Sequence, residues 1–209
     1  MHTLSCRPNW AADQHKVTLM DIFEAIAGRR SCRQYSQQDV DEPTIRRLID
    51  AAVLAPNAVN EQPWIFTVVR DRPRLDRISQ EAKLHMLASM PAKVTAGTRA
   101  QHFRSTLSDP AYQIFYHAPV LILISGREPG SWITEDCALA AENLMLMSHA
   151  LGLGSCWIGF AQGYLNTTPG KRILELPAES VPVAPIIVGH PQVPTPFPGR
   201  KPPEVHWVG

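Results

Sequence analysis

Apolar positions recur at three- and four-residue intervals in several stretches of the chain, and each stretch predicts a helix. Leu19, Ile22, Phe23 and Ile26 share one helical face, and Gly28 ends the pattern. Asp41 and Pro43 read as the start of a second helix; Ile45, Leu48, Ile49 and Ala52 form its stripe, and Pro56 stops it. Pro73 to Leu87 reads as a third, and Tyr112 to Tyr116 as a short restart. Trp132 to Leu151 is the longest candidate. It is apolar on most sides, at Ala138, Leu139, Ala140, Ala141, Leu144, Met145, Leu146 and Met147. A helix of that kind is buried from several directions, and in a small chain a partner subunit is a natural source of cover.

Four runs rich in β-branched or apolar residues predict strands: Ile65 to Val69, Val120 to Ser125, Cys156 to Ile158 and Pro185 to Val188. Between Met90 and Pro110 the periodicity is lost, which marks an expected mobile excursion. Residues 1–16 read as a flexible extension. Residues 17–209 read as one domain, with the excursion at about 90–115 and an extended C-terminal tail. Helices first, then strands separated by helices or long connections, predict an α+β fold with a sheet sandwiched by helices. The pattern leaves strand order open.

Composition narrows the function classes. With 44% hydrophobic and 19% charged residues, the chain has the makings of a core. A net charge of +1 gives no overall field toward nucleic acid or a membrane surface. The 19 prolines, roughly twice average usage, gather toward the C-terminal end and favour an extended tail there. The four cysteines, Cys6, Cys32, Cys137 and Cys156, make no CxxC pair, and Met1 to Lys16 lacks the apolar run of a secretory leader. The expectation is a reduced, cytoplasmic protein with no disulfide framework and no membrane span. The eight histidines show no metal-binding spacing.

Two segments carry the candidate chemistry. Arg29-Arg30-Ser31-Cys32-Arg33 follows the first helix. It reads either as a solvated helix end, where cations are favourable, or as a phosphate site built from guanidinium forks and a hydroxyl. Ala55-Pro56-Asn57-Ala58-Val59-Asn60-Glu61-Gln62-Pro63-Trp64 places amide side chains between prolines and closes on a tryptophan. A turn with a core anchor is its ordinary reading. Taken together the two segments suit a flat, phosphorylated, hydrogen-bonding ligand. Gly152-Leu153-Gly154 lacks the third glycine of a dinucleotide fingerprint and precedes a strand, so it reads as a helix C-cap. There is no P-loop and no nucleophile elbow. His149 reads as a structural residue of the long helix, and Cys32 as an inert thiol despite its arginine neighbours.

In this order and spacing the segments resemble those of the nitroreductase family of FMN-dependent oxidoreductases. His117-Ala118-Pro119-Val120, Asp136 to Leu144, Leu151 to Gly159, Val188-Gly189-His190-Pro191 and Arg200-Lys201-Pro202 extend the resemblance from about Leu19 to Trp207. It implies an α+β homodimer with two FMN sites at the subunit interface. Arg29, Arg30, Ser31 and Arg200 would serve the phosphate, and Arg33 the ribityl chain and the N1–C2 carbonyl edge of the ring. Pro56, Asn57, Asn60 and Gln62 would belong to the segment that reaches across from the other subunit. The backbone at Ile158 and Gly159 would donate to flavin N5 or O4. It implies no dedicated catalytic side chain, because FMN carries the hydride. NAD(P)H would be the co-substrate and a small electron-poor molecule, such as a nitro compound, the acceptor. Tyr112 and Phe115, three apart and so on one face of a helix, are expected to wall the acceptor pocket; packing on the core is the alternative for that face. Lys93, Arg99, His102 and Arg104 would greet a nicotinamide phosphate. Within the family the same cofactor also serves reductive dehalogenation, flavin destruction and substrate oxidation. A flavin-binding protein with little turnover is the further alternative.

Overall fold

The computed structural model describes residues 20–91, 95 and 97–209. The expectations for residues 1–16, Leu19, Cys6 and Lys93 lie outside these. Helix α1 spans Ile22–Gly28 and starts in a capping box, Asp21 accepting from the Glu24 backbone while Glu24 accepts from that of Asp21. Helix α2 spans Glu42–Ala52, with Asp41 as its N-cap and Pro43 in its first turn. A single 3-10 turn at Ala58–Asn60 leads into strand β1, Trp64–Val69. Helix α3 is Arg72–Ser89, and helix α4, Arg99–Ser108, follows it. Strand β2 is Val120–Gly126, helix α5 is Ile133–Ala150 and strand β3 is Gly154–Trp157. Helices α6, Gly159–Leu165, and α7, Thr168–Ile173, precede strand β4, Val181–Gly189.

The four strands form one antiparallel sheet in the order β1-β2-β4-β3. Every residue of β2 is buried, so its side chains alternate between two covered faces. Val120, Ile122 and Ile124 join a core with Ile45 and Leu48 of α2 and Ala140 and Leu144 of α5. Leu121 and Leu123 join a second core with Leu75 and Ile78 of α3 and Ala161 and Leu165 of α6. The expected sheet sandwiched by helices is therefore the observed one. The long helix ends as a Schellman motif: Gly152, at φ 75°, donates to the His149 carbonyl and Leu153 to that of Ser148, both at 2.9 Å. That is the C-cap reading of Gly152-Leu153-Gly154.

Three expectations about the Met90–Tyr116 region need correction. The stretch with no periodicity contains α4. This helix is polar, with Leu107 its one buried residue, so it has no stripe to detect. Tyr112 to Tyr116 is a turn, not a helix, because Tyr116 and His117 adopt left-handed φ of 52° and 56°. With the helix goes the shared face: Phe115 is fully buried in the α3 core, whereas Tyr112 keeps part of its surface.

Candidate functional site

The loop after α1 is tied to the free edge of the sheet. Ser31 bridges Ser155 of β3, and the Cys32 N–H donates to the Ser155 carbonyl at 2.9 Å. This fixes where the loop's side chains converge. Glycine makes the approach possible: a Cβ on Gly154 would stand 2.6 Å from that of Cys32. Ser31 and Arg33 then lie beside Cys156, whose thiol is pushed up by burial against the opposing pull of Arg33, of a Ser31 hydrogen bond and of Arg29. Arg29, with a side chain 20% exposed, stands 3.7 Å from Glu142 of α5. The Cys32 thiol is buried, its Sγ 3.3 Å from the Gln34 carbonyl.

Arg30 behaves as the helix-end reading expects. Its Nη1 donates to the carbonyls of Ala27 and Arg29, both at 2.7 Å, closing the C-terminal end of α1. Its guanidinium also lies over Phe197, 4.6 Å from the ring centroid, and Arg200 approaches the same ring at 5.8 Å. Phe197 therefore brings the tail, and Arg200 with it, to the end of α1. Nothing in the sequence pattern singles out this phenylalanine. His149 lies under the same loop, its Nε2 2.3 Å from where a Cβ on Gly28 would be. Its pKa is lowered by burial first, then by Arg30 and Arg29.

Ile158 and Gly159 divide. The Ile158 N–H donates to the Pro185 carbonyl at 2.8 Å, so it has no proton left to offer a ligand. The expected donor role at Ile158 is corrected accordingly: the strand end takes that proton. Gly159 is the first residue of α6, where an amide has no partner within the helix, and it is exposed.

The Asn57–Gln62 loop is held by itself and by α5. Asn57 Oδ1 accepts from the Gln62 N–H at 2.8 Å, and Asn60 Oδ1 from Gln62 Nε2 at 3.2 Å. Val59, Asn60 and Gln62 all have positive φ. Asp136, 3% exposed, accepts from the Ala58 N–H at 3.0 Å, and its carbonyl takes the Trp64 indole N–H at 3.0 Å. Asp136 is thus the anchor of this loop. The signal in the sequence is the acidic pair Glu135-Asp136 in the first turn of a largely apolar helix. A cleft of about 420 Å³ runs beside the loop, lined by Glu61, Pro63, Arg127, Trp132, Ile133 and Asp136.

The two segments stand at different heights on α5. Asp136 holds one; Glu142 and His149 lie by the other, about 9 Å and about 20 Å further along at 1.5 Å per residue. The cleft beside the Asn57–Gln62 loop is lined by no residue of the Arg29–Arg33 loop. A cleft of about 670 Å³ between the start of α2 and the end of α5, lined by residues such as Asp41, Arg47, Leu151 and His190, includes neither segment.

Tyr112 and Tyr116 stand on the far side of the Arg33 side chain. Its guanidinium carbon is 5.9 Å from the Tyr116 ring centroid, and burial and the bond to Tyr116 raise the Tyr112 pKa while Arg33 opposes them. Phe115 is absent from this surface. Phe103 of α4 meets Phe160, the residue after Gly159, with ring centroids 5.0 Å apart. Helix α4 therefore hangs over the start of α6.

The nitroreductase family model matches residues 26–190. A protein of Methanothermobacter thermautotrophicus with the provisional name NADH dehydrogenase/NAD(P)H nitroreductase is 34% identical over 181 residues, 84% of this chain and 80% of that one. The crystal structure of a nitroreductase with bound FMN from Bacteroides fragilis superposes with a TM-score of 0.77 at 25% identity, covering 91% of this chain and all of that one. A BluB-like flavoprotein from Clostridium difficile gives a TM-score of 0.72, also at 25% identity, over 88% of this chain and 95% of its own. By its residues, its sheet and these relatives, the chain belongs to the nitroreductase family.

Proposed function

We propose that this chain is an FMN-dependent oxidoreductase that passes a hydride from NAD(P)H to nitro compounds or other electron-poor acceptors. The observation that carries it is the convergence of Arg29, Ser31 and Arg33 on the edge of β3, with Arg200 brought alongside by Phe197. That donor set fits a phosphorylated flat ligand. Guanidinium groups match phosphate oxygens two at a time, and the nearest carboxylate, Glu142, is half-exposed and 3.7 Å from Arg29, too far for a hydrogen bond. The names of the relatives support the same cofactor and co-substrate.

When bound, FMN carries the hydride between the two substrates in a ping-pong cycle. Arg29, Ser31 and Arg200 would hold the phosphate. Arg33 would face the ring edge, where a fixed cation would stabilise negative charge on the reduced cofactor. The Gly159 amide is the backbone donor left at the end of β3. Tyr112 and α4 wall the place where nicotinamide and acceptor alternate.

The site is completed by a second copy of the chain. Pro56, Asn57, Asn60 and Gln62 of one copy reach the Arg29–Arg33 loop of the other, a reading consistent with the different heights of the two segments along α5. The exposed apolar residues Ile22, Phe23 and Ile26 of α1, with Val59 and Leu139, supply an apolar face for that contact. Anaerobic titration of the purified chain with NADH and NADPH tests the function. Bleaching of a bound yellow chromophore that is released as FMN supports it; a colourless chain that cannot be reconstituted with FMN, or a flavin-loaded monomer by light scattering, overturns it. Reduction by a substrate without nicotinamide would favour an oxidase of the same fold.

Arg200→Ala is expected to weaken FMN binding by about 1.5–3 kcal/mol, the worth of a charge-assisted bond. Titration at constant salt measures it, and unchanged affinity would move the tail's phosphate contact to another residue. His149 reports on the same charges. Its pKa is lowered partly by Arg30 and Arg29, so an anion on those arginines is expected to raise it. The sign follows from linkage. A histidine whose folded pKa lies below its unfolded value of about 6.5 lends its full stability above that pH and loses it as pH falls through the window below. Binding FMN or phosphate should narrow that window. An NMR titration of the His149 ring that is unmoved by ligand would place the anion away from Arg29 and Arg30.

A further inference from the structure

Two tyrosines meet at their hydroxyls beside Arg33. Tyr112 Oη and Tyr116 Oη are 3.1 Å apart, and the rings stand edge to face with centroids 6.0 Å apart. The pair is fixed from behind. Lys83, 4% exposed, donates from Nζ to the carbonyls of Asp109 at 2.9 Å and Tyr112 at 2.7 Å. The Ser79 hydroxyl takes the Ile114 N–H at 3.0 Å. Tyr116 and His117 are held at φ 52° and 56° in succession. Such a conformation costs free energy at each non-glycine residue and persists only where its surroundings over-determine it. A buried ammonium and a strained turn both serve to set where two phenol groups stand.

A proton count then points outward. Each tyrosine hydroxyl carries one proton. The bond between them uses one, whichever oxygen donates. For the other there is no protein acceptor among the described residues. We propose that this remaining O–H is aimed at the electron acceptor, and that the Tyr112–Tyr116 pair selects acceptors with an oxygen lone pair on the π system, such as a nitro group or a quinone carbonyl. This rests on the FMN reading above. As electrons arrive, negative charge gathers on that oxygen, and a fixed O–H stabilises the charge more than it does the neutral acceptor. No proton needs to leave the phenol: burial and its partner hold Tyr112 above the ordinary phenol range, so it remains a donor at neutral pH, and after hydride arrives at the acceptor its charged oxygen takes the balancing proton from solvent water.

The test is a ratio: kcat/KM for 1,4-benzoquinone over that for ferricyanide, which takes electrons singly and offers no such oxygen. In the Tyr112→Phe/Tyr116→Phe double variant the ratio is expected to fall about tenfold or more, the worth of a hydrogen bond that strengthens with charge. FMN content, read from absorbance, should stay stoichiometric. Nitrobenzene in place of the quinone should give a fall of the same order. Lys83→Met keeps both hydroxyls but frees the turn, and should lower the same ratio. An unchanged ratio in the flavin-loaded double variant overturns the inference. Should that variant lose flavin, the two single variants decide it, and an unchanged ratio in both overturns it. A wild-type chain that holds no FMN overturns both this inference and the function it rests on; a loaded, reducible enzyme with an unmoved ratio overturns this one alone.

Discussion

Phe115→Ala is expected to lower the free energy of unfolding by about 3–5 kcal/mol, the range for emptying a fully buried aromatic site. Phe115 shares its core with Leu75, Ile78, Leu121 and Leu123, joining the turn before β2 to α3 and the sheet. The cavity cannot close easily, since Gln113 Oε1 accepts the Phe115 N–H at 2.6 Å and Ser79 holds its neighbour. A urea titration measures the loss as a shift in midpoint at constant slope. Tyr112→Phe, three residues earlier, keeps its ring in place and should move the midpoint little. A midpoint unmoved by Phe115→Ala would put that ring outside the core and return it to the acceptor wall.

Gly154→Val is expected to remove the phosphate site as a unit. The new Cβ would fall 2.6 Å from Cys32 Cβ and 2.7 Å from its Sγ, closer than van der Waals contact allows. The residue opposite on β4 is Gly189, itself without room, as a Cβ there would meet Pro119 at 2.6 Å and Tyr35 at 2.8 Å. The loop must therefore leave the sheet edge, taking Ser31 and Arg33 with it. Overpacking alone costs about 1–3 kcal/mol. The loss of FMN affinity should exceed that of Arg200→Ala, because two ligands move instead of one. Flavin titration at a temperature where circular dichroism shows the variant folded separates the two effects. Flavin affinity equal to wild type would mean the loop does not depend on its seat against β3.

Particular residues show what the sequence made legible. The β1 and β2 strands are readable because runs dominated by β-branched and apolar residues at Ile65 to Val69 and Val120 to Ser125 have few other uses. The long helix was readable for the same reason, and its Gly152 stop followed from the conformation that only glycine takes easily. Strand β4 was read at half its length, because Pro182 and Pro185 interrupt a strand that the structure nonetheless places inside the sheet. Helices α6 and α7 are seven and six residues long and glycine-bearing, too short for a period to show. The Arg29–Arg33 and Asn57–Gln62 segments announced themselves through residue type. Their separation along α5 did not, nor did Lys83 under the tyrosines, because a lysine in a polar helix looks solvated until the fold covers it.

The order of the strands has a temporal consequence. Strand β4 comes last along the chain yet lies between β2 and β3. Until it arrives, β3 has no neighbour in the sheet, and Ser31 has no finished edge to join. The loop that would grip the cofactor precedes β1 in the chain but cannot be seated until β4 has been made. Contacts so distant in sequence form slowly. Secondary structure should therefore recover first on refolding, and the capacity to take up flavin only afterwards. On the ribosome, this binding site would exist only once β4 had been made.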